Sequence, residues 1–338
     1  MKTSLIALAL LVASCANASG LWRELSVDSI PQELAYVIDM KIMGDTLWLS
    51  YETHSGMGQR FLRAYSIDYQ CDSLKYIGEP CRRDDGYYHS YMPYVFAMPG
   101  GAPGVVSQDE CALFSIADNL SVKPMRKYVI DSGMNMPFPL TSYVGDIFAL
   151  ADERYIFTAR EPAGGAVWAM TTDFSTNKIS PVRRLAHLPD EISWVANTGE
   201  LVCWPSKSIC AYAYKLYPCI DFFTTAGDTI ASVQVASETF DPATLVEADA
   251  EDSNILHFID TAQSSDRLYA LYWGKTYADM RKDSDRGSAK SRLFQFDLQG
   301  NLLNVKELPG QIYKIAVDSH RNRIVAFDVS FRWNQQSE

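Results

Sequence analysis

Helical periodicity is what this sequence lacks most. No stretch sustains the 3.6-residue spacing of a long amphipathic helix, which argues against a helical bundle. Clustered basic charge is also missing. Thirty Lys and Arg face 41 Asp and Glu, giving a formal charge of −11. Such a field repels phosphates, so a nucleic-acid partner is excluded and solubility is the plain reading of the acidity. There is no GxSxG, HExxH, Walker A loop or dinucleotide fingerprint, which leaves no local motif for an enzyme and favours a non-enzymatic role. Histidines are few and scattered: His54, His89, His187, His257 and His320. Long apolar runs, linkers and low-complexity tracts are absent beyond the N-terminus, so no internal segment reads as a membrane span.

What the chain has in quantity is alternation. In "SRLFQFDLQGNLLNVKELPG" (291–310), Phe294, Phe296 and Leu298 point one way and Gln295, Asp297 and Gln299 the other. Gly300-Asn301 tolerates positive φ and reverses the chain, after which Leu303 and Val305 resume an apolar face. Weaker copies of this hairpin occupy 62–78, 112–123, 167–179 and 221–235. A second signal, a polar turn followed by an alternating strand, starts near Asp45, Pro103, Glu153, Glu200, Asp266 and Asn322. The spacing of roughly 40–65 residues lies near the upper range of four-stranded propeller blades. The expectation is an all-β, six-bladed propeller of four-stranded antiparallel blades. The last copy has little chain left for outer strands. "LWRELSVD" (21–28) alternates and is expected to pair in the same blade as 311–329, which removes an exposed edge.

The N-terminal "MKTSLIALALLVASC" carries a lysine, an apolar run of about ten residues and small residues before Cys15, a secretory signal by its pattern. The expected organisation is a leader over 1–14, a short tether over 15–20 and one domain over 21–338. Losing Lys2 with the leader takes the formal charge to −12. Cleavage after Ala18 also satisfies the small-residue rule and stays open as an alternative, giving a soluble periplasmic or secreted protein. Cys71, Cys81, Cys111, Cys203, Cys210 and Cys219 follow. Export permits disulfides among them, and their spacings fit no standard zinc pattern. "RKDSDRGSAKSR" (281–292) reads as an exposed loop.

"LVAS" before Cys15 resembles a bacterial lipobox. Together with "GDTLWLSYE", "YIGEP" and "FDLQGNLL", the mature chain resembles the TolB-like six-bladed β-propeller lipoproteins of Bacteroides-type bacteria. The resemblance implies lipidation of Cys15, a cell-envelope location with the membrane reached by the lipid anchor alone, and no catalytic motif to carry over. An envelope protein, peptide or glycan is the expected partner. The densest polar-aromatic cluster, "RRDDGYYHSY" (82–91), is the candidate ligand-contact loop through Asp84, Asp85, Tyr87, Tyr88 and His89. No cofactor is required. Asp84 and Asp85 offer oxygens to calcium, but the run lacks the EF-hand register. The competing function is a metal-dependent hydrolase of the lactonase-like propeller type, which needs carboxylates converging on one axial ion.

Overall fold

The computed structural model describes residues 9–14, 23–27, 34–53, 60–80, 93–107, 112–127, 146–160, 166–176, 178–188, 196–235 and 253–328. Two N-terminal strands, β1 (Ala9–Ser14) and β2 (Arg23–Val27), precede a meander of β3 (Leu34–Met43), β4 (Thr46–Thr53), β5 (Arg60–Asp68) and β6 (Ser73–Gly78). Four further antiparallel meanders follow. They are β7 (Pro93–Ala97), β8 (Pro103–Ser107), β9 (Ala112–Ile116) and β10 (Val122–Lys127); then β11 (Ile147–Ala151), β12 (Arg154–Arg160), β13 (Val167–Asp173) and β14 (Lys178–Leu185). Next come β15 (Gly199–Trp204), β16 (Ile209–Tyr214), β17 (Cys219–Thr224) and β18 (Thr229–Gln234), and β19 (Leu256–Gln263), β20 (Arg267–Lys275), β21 (Lys290–Asp297) and β22 (Leu302–Pro309). Finally β23 (Ile312–Asp318) and β24 (Arg323–Asp328) return to the first sheet, whose order is β23-β24-β1-β2-β6-β5-β4-β3. The fold is an all-β propeller with four-stranded antiparallel blades.

The strands end where a carboxylate caps the chain. Asp297 accepts the amides of Gln299 and Asn301 at 2.9 and 2.8 Å. Asp68, Asp173 and Asp318 do the same for the turns that follow them. These Asx turns offer the backbone an alternative to the ladder and so stop each strand. Gly300 has φ of 83°, and a β-carbon there would meet Ala231 and Val233 of the neighbouring sheet at 2.9 and 3.0 Å. The turn thus needs glycine both for its backbone and for sheet packing.

Stacking of sheets explains the core. Phe294 and Phe296 are buried as expected, but so are Leu293 and Gln295 on the other face. A middle strand is covered on both sides by adjacent blades, which blurs alternation. Trp204 Nε1 donates to Ser264 O at 2.6 Å and Trp273 Nε1 to Ile312 O at 2.7 Å, each tying its sheet to the next.

Five expectations meet a different structure. Leu303 and Val305 do not resume a buried face: both are exposed, because β22 is the outermost strand of its blade. The signal at Glu200 opens an inner strand, β15, whereas the other five open second strands. The supposed loop at 281–292 is half helix: α1 (Tyr277–Asp285) is capped by Thr276, which accepts the Asp279 amide at 3.0 Å, and it buries Met280. Hydrogen bonding gives five sheets in place of six, because β2 also pairs in parallel with β6 at Ser26↔Ser73 and Val27↔Leu74. The strand in 21–28 does join the sheet of β23 and β24, but through β1, which lies within the segment read as leader.

Cys203 and Cys210 are buried partners directly across β15 and β16, with sulfurs 2.8 Å apart. Protein recovered from an oxidising compartment should therefore have an intact mass about 2 Da below its reduced form, lost in Cys203→Ser. Two free thiols at these positions in such material would contradict this.

Candidate functional site

The first strand of each meander lines the propeller axis, and charge sits where apolar side chains would pack. Asp39 and Lys41 come from β3, Asp146 from the residue before β11, Glu200 from β15, Asp260 from β19 and Lys314 from β23. Lys314 Nζ lies 3.0 Å from Asp260 Oδ1 and 3.7 Å from Glu200 Oε1. Lys41 Nζ lies 3.2 Å from Asp39 Oδ2 and donates to Val95 O at 2.9 Å.

Inner strands of neighbouring blades share no continuous ladder, and these side chains bridge them. Asp260 Oδ2 accepts the Ile315 amide at 2.7 Å, and Asp146 Oδ2 accepts the Leu201 amide at 2.8 Å. The arrangement forms a waist between two cavities. The wider, about 370 Å³, is lined by Tyr94, Thr158, Thr198, Lys215 and Tyr313 together with Asp39, Asp146, Glu200 and Lys314. The narrower, about 170 Å³, lies towards the C-terminal ends of the inner strands and shares Asp39, Asp146 and Glu200. A volume of 370 Å³ sits at the lower end of the range of small-molecule sites, about 300–1,000 Å³.

Four carboxylates face two amines in this waist, and two of the carboxyls are raised. Burial pushes the Asp260 carboxyl up to about 7; Lys314 opposes this and Glu200 adds to it. Burial, reinforced by the Glu200 charge, also raises Asp146 well above the usual carboxylate range. Burial alone would lower the two amines, but Asp260 and Glu200 hold Lys314 up, and Asp39 and Asp146 do so for Lys41.

Asp260 has a folded pKa of about 7 against an ordinary 3.8, so between those values the folded state binds the extra proton. Its contribution to stability is present at low pH and is lost as pH rises through 7. His257, lowered to about 4 by burial, acts with the opposite sign between about 4 and 6.5. Asp260→Asn isolates the first effect. Its stability relative to the parent protein should rise between pH 5 and 7.5 in urea unfolding, and a pH-independent difference would contradict the assignment.

Asp84, Asp85, Tyr87, Tyr88, His89, His54 and Cys15 lie outside the described residues. His257 is buried, with Nδ1 2.9 Å from the Tyr272 hydroxyl, and His320 sits in the β23–β24 turn. His187 lies beyond the end of β14, against Cys219 and Asp221. No motif singles out the axial charges; their signal is one or two charges inside an apolar strand, as in "VIDMKIM", "HFID" and "YKIAV".

No protein-family description and no curated protein matches the sequence. Among solved structures, the chain is similar to a member of the DUF4221 family from Bacteroides vulgatus, with TM-score 0.54, 10% identity and coverage of 95% of this chain and 98% of that one. Weaker similarity extends to a candidate 6-phosphogluconolactonase from Bacteroides fragilis (TM-score 0.46, 12% identity, 96% and 89% covered). It extends also to the β-propeller domain of Cps50 (Swd1) from Myceliophteria thermophila (TM-score 0.40, 11% identity, 89% and 99% covered). At such identities the likeness speaks to the fold alone.

Proposed function

We propose that this chain is a lipid-tethered binding module of the bacterial cell envelope. In this reading it is a six-bladed propeller that takes a small amine-bearing polar ligand, of the amino-sugar class, into the wider end of its axial channel. The blade count divides the eight-stranded sheet into β3–β6 and a closing blade of β23, β24 and β2; β1 lies in the leader and is lost on cleavage before Cys15. The short parallel pairing of β2 with β6 joins them.

The observation that carries the binding reading is the buried waist of charge. Buried ion pairs rarely add stability over apolar packing, so a cluster of them at the waist of the channel points to use. Glu200, with its side chain about one-third exposed, is the carboxylate open to a ligand amine. Thr158, Thr198 and Lys215 offer hydroxyl partners, and Tyr94 and Tyr313 offer rings at the cavity wall. The lactonase-like alternative is less favoured, because Asp260 is committed to Lys314 and the Ile315 amide and Asp146 to the Leu201 amide.

Calorimetric titration with glucosamine and N-acetylglucosamine tests the reading. Glucosamine should bind at least about tenfold more tightly, the worth of one modest charge contact of about 1.4 kcal/mol, and Glu200→Gln should abolish the difference. Equal affinity for both sugars, or none for either, would overturn it.

The tether makes a separate prediction. Cys15→Ser should move the protein from the membrane fraction to the soluble one. Purified protein that retains residues 1–14, with β1 in its sheet, would overturn both leader and anchor.

A further inference from the structure

Away from the axis, three side chains from two sheets converge. Cys219 and Asp221 lie two apart on β17, so they share a face. His187 reaches them from the segment after β14 of the adjacent sheet. His187 Nε2 is 3.1 Å from both carboxylate oxygens of Asp221 and 3.7 Å from Cys219 Sγ, and Sγ is 4.0 Å from Asp221 Oδ1. We propose that His187, Cys219 and Asp221 form a zinc-type divalent metal site, with Nε2, Sγ and Oδ1 as ligands and a fourth position open to solvent.

The geometry carries this. Tetrahedral zinc with bonds of about 2.0 Å to nitrogen and oxygen and about 2.3 Å to sulfur puts N and O about 3.3 Å apart, and S about 3.5 Å from either. The observed triangle is within about half an ångström of that on every edge, before any ion draws it together. The same three residues are the one group of His, Cys, Asp and Glu with ligand atoms so close, all within 4.8 Å, among the described residues. A mixed thiolate, imidazole and carboxylate set suits zinc over calcium or magnesium.

The surroundings hold these ligands in place, as outer-shell groups do at metal sites. Tyr214 OH donates to Asp221 Oδ2 at 2.9 Å and Ser232 Oγ to Oδ1 at 2.7 Å. Asn197 accepts the His187 and Leu188 amides at 3.0 and 2.9 Å, fixing the backbone that carries the imidazole. The Tyr217 ring stacks on the imidazole with centroids 4.9 Å apart. Asp221 and Cys219 are buried, while the His187 side chain is 27% exposed and leaves an approach from solvent. Besides the imidazole of His187, Arg183 faces the carboxylate, with Nη2 3.8 Å from Oδ2. Its other amine nitrogen is held by Gly227 O and Thr229 Oγ1, and it lies at the oxygen away from the thiol. A Cys-His-Asp relay fits less well. There acid and thiol take opposite ring nitrogens, whereas here both approach Nε2.

The test is titration of the reduced full chain with cobalt(II) and then zinc. One cobalt per chain should give a sulfur-to-metal charge-transfer band and tetrahedral visible bands, and zinc should displace it. His187→Gln, a change at a solvent-accessible side chain, should weaken binding by at least about 100-fold, as should Cys219→Ser. Cys71→Ser, at an exposed thiol, should leave binding unchanged. Absence of a stoichiometric thiolate band in the parent protein would overturn the site whether or not a variant folds. So would a band that survives His187→Gln.

Discussion

Lys314→Met should be the most destabilising single substitution in the axial channel. The amine is buried, with a side chain 9% exposed, and it neutralises Asp260 at 3.0 Å. Removing it leaves the buried Asp260 carboxyl without its ionic partner, beside the charge of Glu200. Breaking a buried pair in this way costs about 3–5 kcal/mol. For a domain of this size that is on the order of 10 °C in Tm. The companion change Asp260→Asn should restore most of the loss, because the amide oxygen still accepts the Ile315 N–H while the orphaned charge is gone. A single variant that melts with the parent, or a double variant no more stable than the single, would show that Lys314 and Asp260 are not coupled.

Deletion of residues 20–28 should have an effect of similar size by another route. It removes β2, which bonds β1 on one side and β6 on the other, with Ser26 N donating to Asp72 O at 2.9 Å. Leu25, 1% exposed, leaves a cluster containing Val37, Leu49, Tyr65 and Phe327. Losing that side chain alone is worth about 2–5 kcal/mol, and the unpaired strand edges add a route to association. The expected result is a lower melting midpoint with aggregation that grows with protein concentration, read by calorimetry and light scattering. A deleted protein that melts unchanged and stays monomeric would show that the ring closes without β2.

The fold was legible because strand order repeats. The five hairpins at 62–78, 112–123, 167–179, 221–235 and 291–310 are all third and fourth strands of their meanders. Their turns carry the Asp, Asn and Gly residues that stop a ladder. Alternation misled only where a blade is covered on both faces, as at Gln295, or on neither, as at Leu303. The eight-stranded sheet was not legible, because the β2–β6 pairing rests on two residue pairs brought together by ring closure.

The candidate sites were nearly invisible for the same geometric reason. Asp39, Asp146, Glu200, Asp260 and Lys314 are far apart in sequence and meet only at the axis. Glu200 reads as the polar residue of a turn in "GELVCW", whereas it opens the inner strand β15. His187 and Cys219 are 32 residues apart, which no zinc spacing rule anticipates.

The central claim is that the charged waist binds a ligand and does not merely hold the blades together. The most direct measurement is glucosamine titration of Glu200→Gln after its Tm has been shown to approach that of the parent. A folded, stable protein with affinity reduced at least about tenfold is expected, since the carboxylate that meets the ligand amine has lost its charge without loss of the fold. Undiminished glucosamine binding by that stable variant would contradict it.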